Sequence, residues 1–83
     1  MYESVITFRS LTAAQRAQSA CRRRGIAAML VRAPAGTSPK GCGHALQVAA
    51  ADAGQVLWIL RMEQIPVERV FRMNGGRAEE VAW

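Results

Sequence analysis

Residues 2–25 read YESVITFRSLTAAQRAQSACRRRG, and they decide the fold because a strand pattern gives way here to a helix pattern. Residues 2–8 alternate and are rich in β-branched and aromatic side chains, which predicts a strand with Ile6 and Phe8 facing inward. Ser10 stands at the N-cap position, where its hydroxyl can accept a hydrogen bond from an amide of the first helical turn. The helix pattern continues to Arg24, and Gly25 ends it as a C-terminal cap.

The predicted inward face of this first helix consists of residues at helical spacing, namely Leu11, Ala14, Ala17 and Cys21. Cys21 is therefore expected to act as a small buried hydrophobe. Residues 22–24 are all arginine, and cations at a helix C-terminus complement its dipole and its last carbonyl groups.

The rest of the chain continues the alternation of strands and helices. Residues 26–33 and 44–49 predict two strands, and Asp52 can begin a second helix whose inward stripe is Ala53, Val56, Leu57 and Leu60. Residues 66–72 predict a fourth strand, placed at a sheet edge because it opens with proline. The order strand, helix, strand, strand, helix, strand predicts an α+β, ferredoxin-like split βαββαβ sandwich: a four-stranded antiparallel sheet with two helices on one face. We expect one domain at 1–73 and a loosely ordered C-terminal tail at 74–83.

Between the second and third strands lies an unusual loop, residues 32–46, RAPAGTSPKGCGHAL, which holds the only lysine and the only histidine. Cys42 stands between Gly41 and Gly43, which lack a Cβ, so a partner could approach the sulfur closely. Lys40 and His44 flank it at two residues on either side, and nearby cations favour the nucleophilic thiolate. The alternative is that these glycines simply make a tight turn.

The predicted topology gives this loop a location. The first two strands run parallel with a helix returning between them, so the loop after the second strand lies at the end of the sheet where the first helix begins. Cys42 should then lie near Arg9 and Ser10, where the helix dipole carries about half a positive charge and favours an anion. Cys21 lies roughly 15 Å farther along the helix, too far to form a disulfide with Cys42. Cys42 is thus the candidate reactive residue, with an anion-binding set of Arg9, Ser10, Lys40, Gly41, Gly43 and His44.

A strand ending in Phe8-Arg9-Ser10, a helix of spaced alanines, and Pro34 followed at eight residues by Cys42-Gly43 together resemble the selenium/sulfur carrier-like family of small bacterial domains. The resemblance covers residues 5–71. It implies a carrier, rather than an enzyme, that holds sulfur or selenium as a persulfide on Cys42 and relays it between donor and acceptor proteins without a cofactor. Family members often have arginine after the proline; here Ala35 stands there, so Lys40 or Arg9 would have to replace it.

Two other classes of function remain open. Trp58 and Met62 fall outside the inward stripe of the second helix and lie four residues apart, so they would share a patch on the helix surface. Either a neighbouring segment such as the tail with Trp83 covers this patch, or the patch is a subunit contact of a homo-oligomeric binding or assembly module without thiol chemistry. The net charge of +5 also invites a nucleic-acid hypothesis. We rank it last because residues 44–49 contain no outward aromatic side chain on which a base could stack.

The sequence also bears on where in the cell the protein is found and on which catalytic or metal sites it could form. The longest uninterrupted apolar run, Ile26–Val31, is six residues, against the roughly 20 that a membrane helix needs. Residues 1–8 lack the basic start and apolar core of a secretory signal, so we expect a cytoplasmic protein. One histidine and two distant cysteines do not supply a zinc cage within one chain, and the spacing supports no hydrolytic triad.

Overall fold

The computed structural model describes residues 4–33 and 43–81. Along the chain these form β1 (Ser4–Phe8), α1 (Leu11–Arg23), β2 (Met29–Arg32), β3 (His44–Val48), one 3₁₀ turn (Ala50–Asp52), α2 (Ala53–Met62), β4 (Arg69–Asn74) and β5 (Arg77–Glu80).

The strands form one sheet in the order β2-β3-β1-β4-β5, with every neighbouring pair antiparallel. Because β3 is antiparallel to both β1 and β2, those two strands are parallel to each other, as a split βαβ unit requires. The predicted α+β class, the order of the first four strands and the two helices are confirmed.

The predicted number of strands is wrong, because part of the segment expected to be a loosely ordered tail pairs with β4. Asn74 lies opposite Arg77, and the two residues between them, Gly75 and Gly76, have φ of 59° and 83°. Two positive φ values in succession make the tight hairpin turn that glycine favours, and this turn sends the chain back as a fifth strand. The hydrogen bond from the Val81 N–H to the Val70 carbonyl, 2.9 Å, extends the pairing.

The position predicted for the fourth strand is also wrong. It was expected at a sheet edge because of Pro66, but β4 begins only at Arg69 and lies between β1 and β5. Pro66 belongs to the connection before the strand, where it has no ladder hydrogen bond to lose. The edges of the sheet are β2 and β5.

The main core lies between the helices and one face of the sheet. Ile6 and Phe8 face it as predicted, together with Leu46 and Val48 of β3. Leu11 was expected there but is 42% exposed, since it begins the helix beyond the end of the sheet. The buried face of α1 is instead formed by small residues: Ala13, Ala14, Ala17, Ala20 and Cys21.

Helix α2 follows its predicted stripe only in part. Val56 and Leu60 are fully buried as predicted, but Ala53 and Leu57 are only partly covered. Ile59, outside the predicted stripe, is fully buried instead.

Both ends of α1 are capped as the sequence predicts. The Ser10 hydroxyl accepts a hydrogen bond from the Ala13 N–H at 3.1 Å. At the other end Gly25 has φ of 74°, its N–H donates to the Arg22 carbonyl, and the Ile26 N–H donates to the Cys21 carbonyl. This pair of bonds is a Schellman motif, which requires the left-handed conformation that glycine adopts without strain.

Candidate functional site

The candidate site lies at the end of the sheet where β1 and β2 finish and β3 begins. Cross-strand pairing places His44 between Phe8 on one side and Arg32 on the other. Arg9 and Ser10 follow Phe8 directly, so they extend from the same end of the sheet.

The ends of the β2–β3 loop are joined at this position. The Ala33 N–H donates to the Gly43 carbonyl at 2.9 Å, one step beyond the last pair of the ladder. Residues 34–42 connect these two positions, and the predicted site residues Lys40, Gly41 and Cys42 therefore lie outside the described residues. We call the hydrogen-bonded pair Ala33 and Gly43 the loop root.

Helix α1 begins at the same end of the sheet as the loop root, since its N-cap lies two residues beyond Phe8, the strand partner of His44. Ser10 has extended backbone angles, φ −139° and ψ 154°, which turn the chain out of β1 and into the helix. The first turn of α1 carries no acidic residue, so no side chain of that turn neutralises the positive end of the helix dipole.

Four of the predicted site residues are therefore brought to one end of the sheet: Arg9, Ser10, Gly43 and His44. Arg32, which sequence reasoning missed, joins them opposite His44 and is exposed. The sequence alone does not place Arg32 there, because its pairing with His44 depends on a register that only the loop root sets. Within the described residues neither Arg9 nor Arg32 has a carboxylate within salt-bridge distance.

A family comparison bears directly on this end of the molecule. Residues 3–72 match the model of the family described as "Putative Se/S carrier protein-like". The chain belongs to this family. No curated protein and no solved structure matches the chain. The family match runs from β1 into β4, so the carrier-like part contains the whole candidate site, and β5 lies beyond it.

The other cysteine of this carrier-family chain, Cys21, belongs to the core. Cys21 is a free thiol in the last turns of α1 with no exposed surface, packed among the alanines of the core. Burial raises the pKa of the Cys21 thiol, an effect that the positive charge of Arg24 only partly offsets. Cys21 is therefore a protonated core residue at neutral pH, as the sequence predicts.

Residues 4–33 and 43–81 contain no group of three histidine, cysteine or carboxylate side chains that could hold a metal ion. Over the same ranges, neither helix has the length and apolar character that crossing a membrane would require.

Aromatic side chains on the face of the sheet opposite the helices bear on the nucleic-acid hypothesis. Phe71 of β4 lies on that face beside Val5 and Ala45, but only 4% of its surface is exposed. A base cannot stack on a ring that is already covered. The predicted exposure of Trp58 and Met62, by contrast, is observed: they are 57% and 61% exposed on α2.

Proposed function

We propose that the protein carries sulfur or selenium on Cys42, as a persulfide or its selenium counterpart, and relays it between partner proteins. The observation that supports this most is that the loop root and the N-terminus of α1 lie at the same end of the sheet. Cys42 precedes Gly43 of the loop root in the sequence, so the proposal puts its thiol within reach of the positive end of the first helix.

The charges at this end suit an anionic sulfur. Arg9 and Arg32 are exposed there and the first turn of α1 carries no acid, so the helix dipole and two guanidinium groups act in the same direction. Positive surroundings stabilise a thiolate, which is the nucleophilic form, and equally the terminal anion of a persulfide. Both the empty and the loaded carrier would be held in their reactive forms.

The transfer step needs no metal and no organic cofactor. The Cys42 thiolate attacks the terminal sulfur of a donor protein's persulfide and forms a new S–S bond. The donor's own S–S bond breaks, and its electron pair leaves on the donor cysteine as a thiolate. An acceptor thiolate then attacks the terminal sulfur on Cys42 in the same way, which restores the free Cys42 thiolate with no net oxidation.

Intact-protein mass spectrometry tests this proposal. The protein is incubated with a cysteine desulfurase and cysteine, and its mass is measured before and after treatment with a reducing agent. We expect a gain of one sulfur atom, located on Cys42 by peptide mapping and lost on reduction. Cys42→Ala should abolish the gain.

The buried cysteine supplies the matched control. Cys21→Ala keeps Cys42 and replaces a fully buried thiol by a smaller apolar group, so it should load like the parent protein. Loading that survives in Cys42→Ala, or that is absent from the parent while the desulfurase is active, would contradict the carrier proposal.

A second candidate function, a homo-oligomeric assembly module, is favoured by one observation. Trp58 and Met62 are both more than half exposed and lie one turn apart on α2. Large apolar side chains side by side on a helix surface are typical of a subunit contact. This function needs no chemistry at Cys42, so the two proposals are tested separately.

A further inference from the structure

The excess of positive over negative charge lies in the first part of the chain. Residues 1–51 contain six arginines and one lysine against a single acid, Glu3. Residues 52–83 contain four arginines and five acids, a net charge of −1. The part of the chain that contains α1 and the β2–β3 loop therefore has a net charge of +6, and α1 itself contains no acid.

A groove of about 400 Å³ runs along the exposed side of α1 and is closed by the segment that follows α2. Its α1 wall is formed by Thr12, Gln15, Arg16, Ser19 and Arg23, and Glu63 lies on the opposite wall. Four of the α1 residues, at positions 12, 16, 19 and 23, follow the spacing of one helix face and form a continuous stripe.

Hydrogen-bond donors dominate this stripe. Arg16 and Arg23 offer guanidinium groups, Thr12 and Ser19 offer hydroxyls, and Gln15 offers an amide. Guanidinium groups match the geometry of a carboxylate with two parallel hydrogen bonds. The wall of α1 is thus suited to a ligand that presents several carboxylates.

The groove already binds one carboxylate, and it belongs to the chain itself. Arg23 Nη2 lies 3.1 Å from both Oε1 and Oε2 of Glu63, and Arg24 Nη1 lies 3.1 Å from Oε2. The hydrogen bonds from Arg24 and Arg23 hold the pKa of Glu63 below its usual value. Glu63 is a stand-in, within the molecule, for the side chain of an acidic ligand.

Arg16 is a second guanidinium group of the groove that could bind a carboxylate of an acidic ligand. It lies seven residues before Arg23, or about 10 Å along the helix axis at the standard rise. Within the described ranges no carboxylate lies within salt-bridge distance of its guanidinium group. At one end of the groove Arg23 is paired with Glu63, and at the other end Arg16 has no carboxylate partner among the described residues.

We propose that this groove docks an acidic segment of a partner protein, with one carboxylate on Arg16 and further acidic side chains along the stripe. Nucleic acid fits less well, because none of the described residues that line the groove is aromatic, and single-stranded nucleic acid is held by stacking as well as by charge. The proposal stands without the chemistry of Cys42. If the chain is a carrier, the groove begins at Thr12, two residues from Ser10, so a docked donor or acceptor would lie beside the loop root.

Fluorescence anisotropy with a labelled oligoglutamate peptide tests the proposal on the full chain. The critical variant is Arg16→Glu, which places a like charge against the peptide at an exposed helix position where folding should not suffer. Its matched control is Arg77→Glu on the edge strand β5, also exposed, which changes the net charge equally. We expect Arg16→Glu to weaken binding about tenfold or more and Arg77→Glu to weaken it only slightly.

Two further measurements make the outcome decisive. Arg16→Gln removes the cation without adding a like charge and should cause a smaller loss than Arg16→Glu. Cys42→Ala should bind the peptide like the parent, which separates failure of the groove from failure of the carrier proposal. The proposal is overturned if the parent does not bind the peptide, or if Arg16→Glu and Arg77→Glu weaken it equally. Tighter binding of a single-stranded oligonucleotide of matched charge, with the same dependence on Arg16, would also overturn it.

Discussion

At the scale of single residues, the two cysteines differ because of what surrounds them. Cys21 has no exposed surface and a pKa raised by burial, whereas Cys42 is flanked in sequence by two glycines and follows a lysine at two residues. The reactivities of the two thiols can therefore be compared within one protein, with Cys21 as the core residue and Cys42 as the residue of the candidate site.

Alkylation of the folded protein with iodoacetamide at neutral pH, followed by peptide mapping, should label Cys42 and leave Cys21 unmodified. The reason is that a protonated, fully buried thiol is neither nucleophilic nor accessible. In denaturant both cysteines should be labelled. Preferential labelling of Cys21 in the folded protein would contradict the assignment of the site.

Glu63 gives a residue-scale prediction about pH. Its pKa is lowered in the folded protein by Arg24 and Arg23, so its ionised form stabilises the fold above the unfolded value of about 4.3. This contribution is lost as the pH falls through the lower folded value. Glu63→Gln should therefore lower the denaturant midpoint at neutral pH, and the difference from the parent should vanish in strong acid.

A double-mutant cycle supplies the control for Glu63. With Arg23→Gln and Arg24→Gln already present, Glu63→Gln should have little further effect, because the carboxylate has lost its partners. An unchanged effect of Glu63→Gln in that background would show that the two ion pairs do not cause the stabilisation.

At the scale of elements, the β4–β5 hairpin depends on the backbone of two glycines. A Cβ added at Gly76 would meet no atom within 4 Å, but the residue has φ of 83°, which side-chain-bearing residues rarely adopt. Gly76→Ala should therefore destabilise the fold by roughly 1 kcal/mol through backbone strain alone. Chemical denaturation measures this effect.

Gly54 in α2 is the matched control for this prediction. A Cβ there also meets open space, but the residue is the second of α2 and has no positive φ, so Gly54→Ala should stabilise the protein by up to about 0.5 kcal/mol. If both substitutions change stability in the same direction, backbone conformation is not what distinguishes the two positions.

The elements also show how far the sequence alone predicts the fold. The β1–α1 unit is predicted correctly because alternation in residues 4–8, the Ser10 cap and Gly25 are each local signals. β5 is missed because its sequence, RAEE, has no apolar alternation. As an edge strand it buries little, and only the Gly75-Gly76 turn marks it.

The candidate site is predictable to the extent that topology determines it. Parallel β1 and β2 must bring the β2–β3 loop to the start of α1, and this requires no knowledge of side-chain packing. Arg32 is missed because its role depends on cross-strand register with His44, which the turn geometry sets. The α1 groove is missed because Glu63 and Arg23 are forty residues apart in sequence.

At the scale of the whole molecule, the exposed pair on α2 predicts self-association. Trp58→Glu with Met62→Glu should lower the mass measured by light scattering, because the pair is costly to leave in contact with water. Gln55→Glu, at an exposed position on the same helix, adds charge without removing apolar surface and should leave the mass unchanged. A monomeric parent protein would exclude this contact.

At the same scale, we propose that the N-terminus of α1 activates Cys42, the residue before Gly43 of the loop root, as a thiolate. The most direct measurement is the pH dependence of the alkylation rate of Cys42 in a Cys21→Ala background, with Arg9→Ala and Arg32→Ala added singly to test each cation. The account predicts an apparent pKa below the roughly 8.5 of a free cysteine, raised when either arginine is removed. An apparent pKa at or above that of a free cysteine, unaffected by both substitutions, would contradict it.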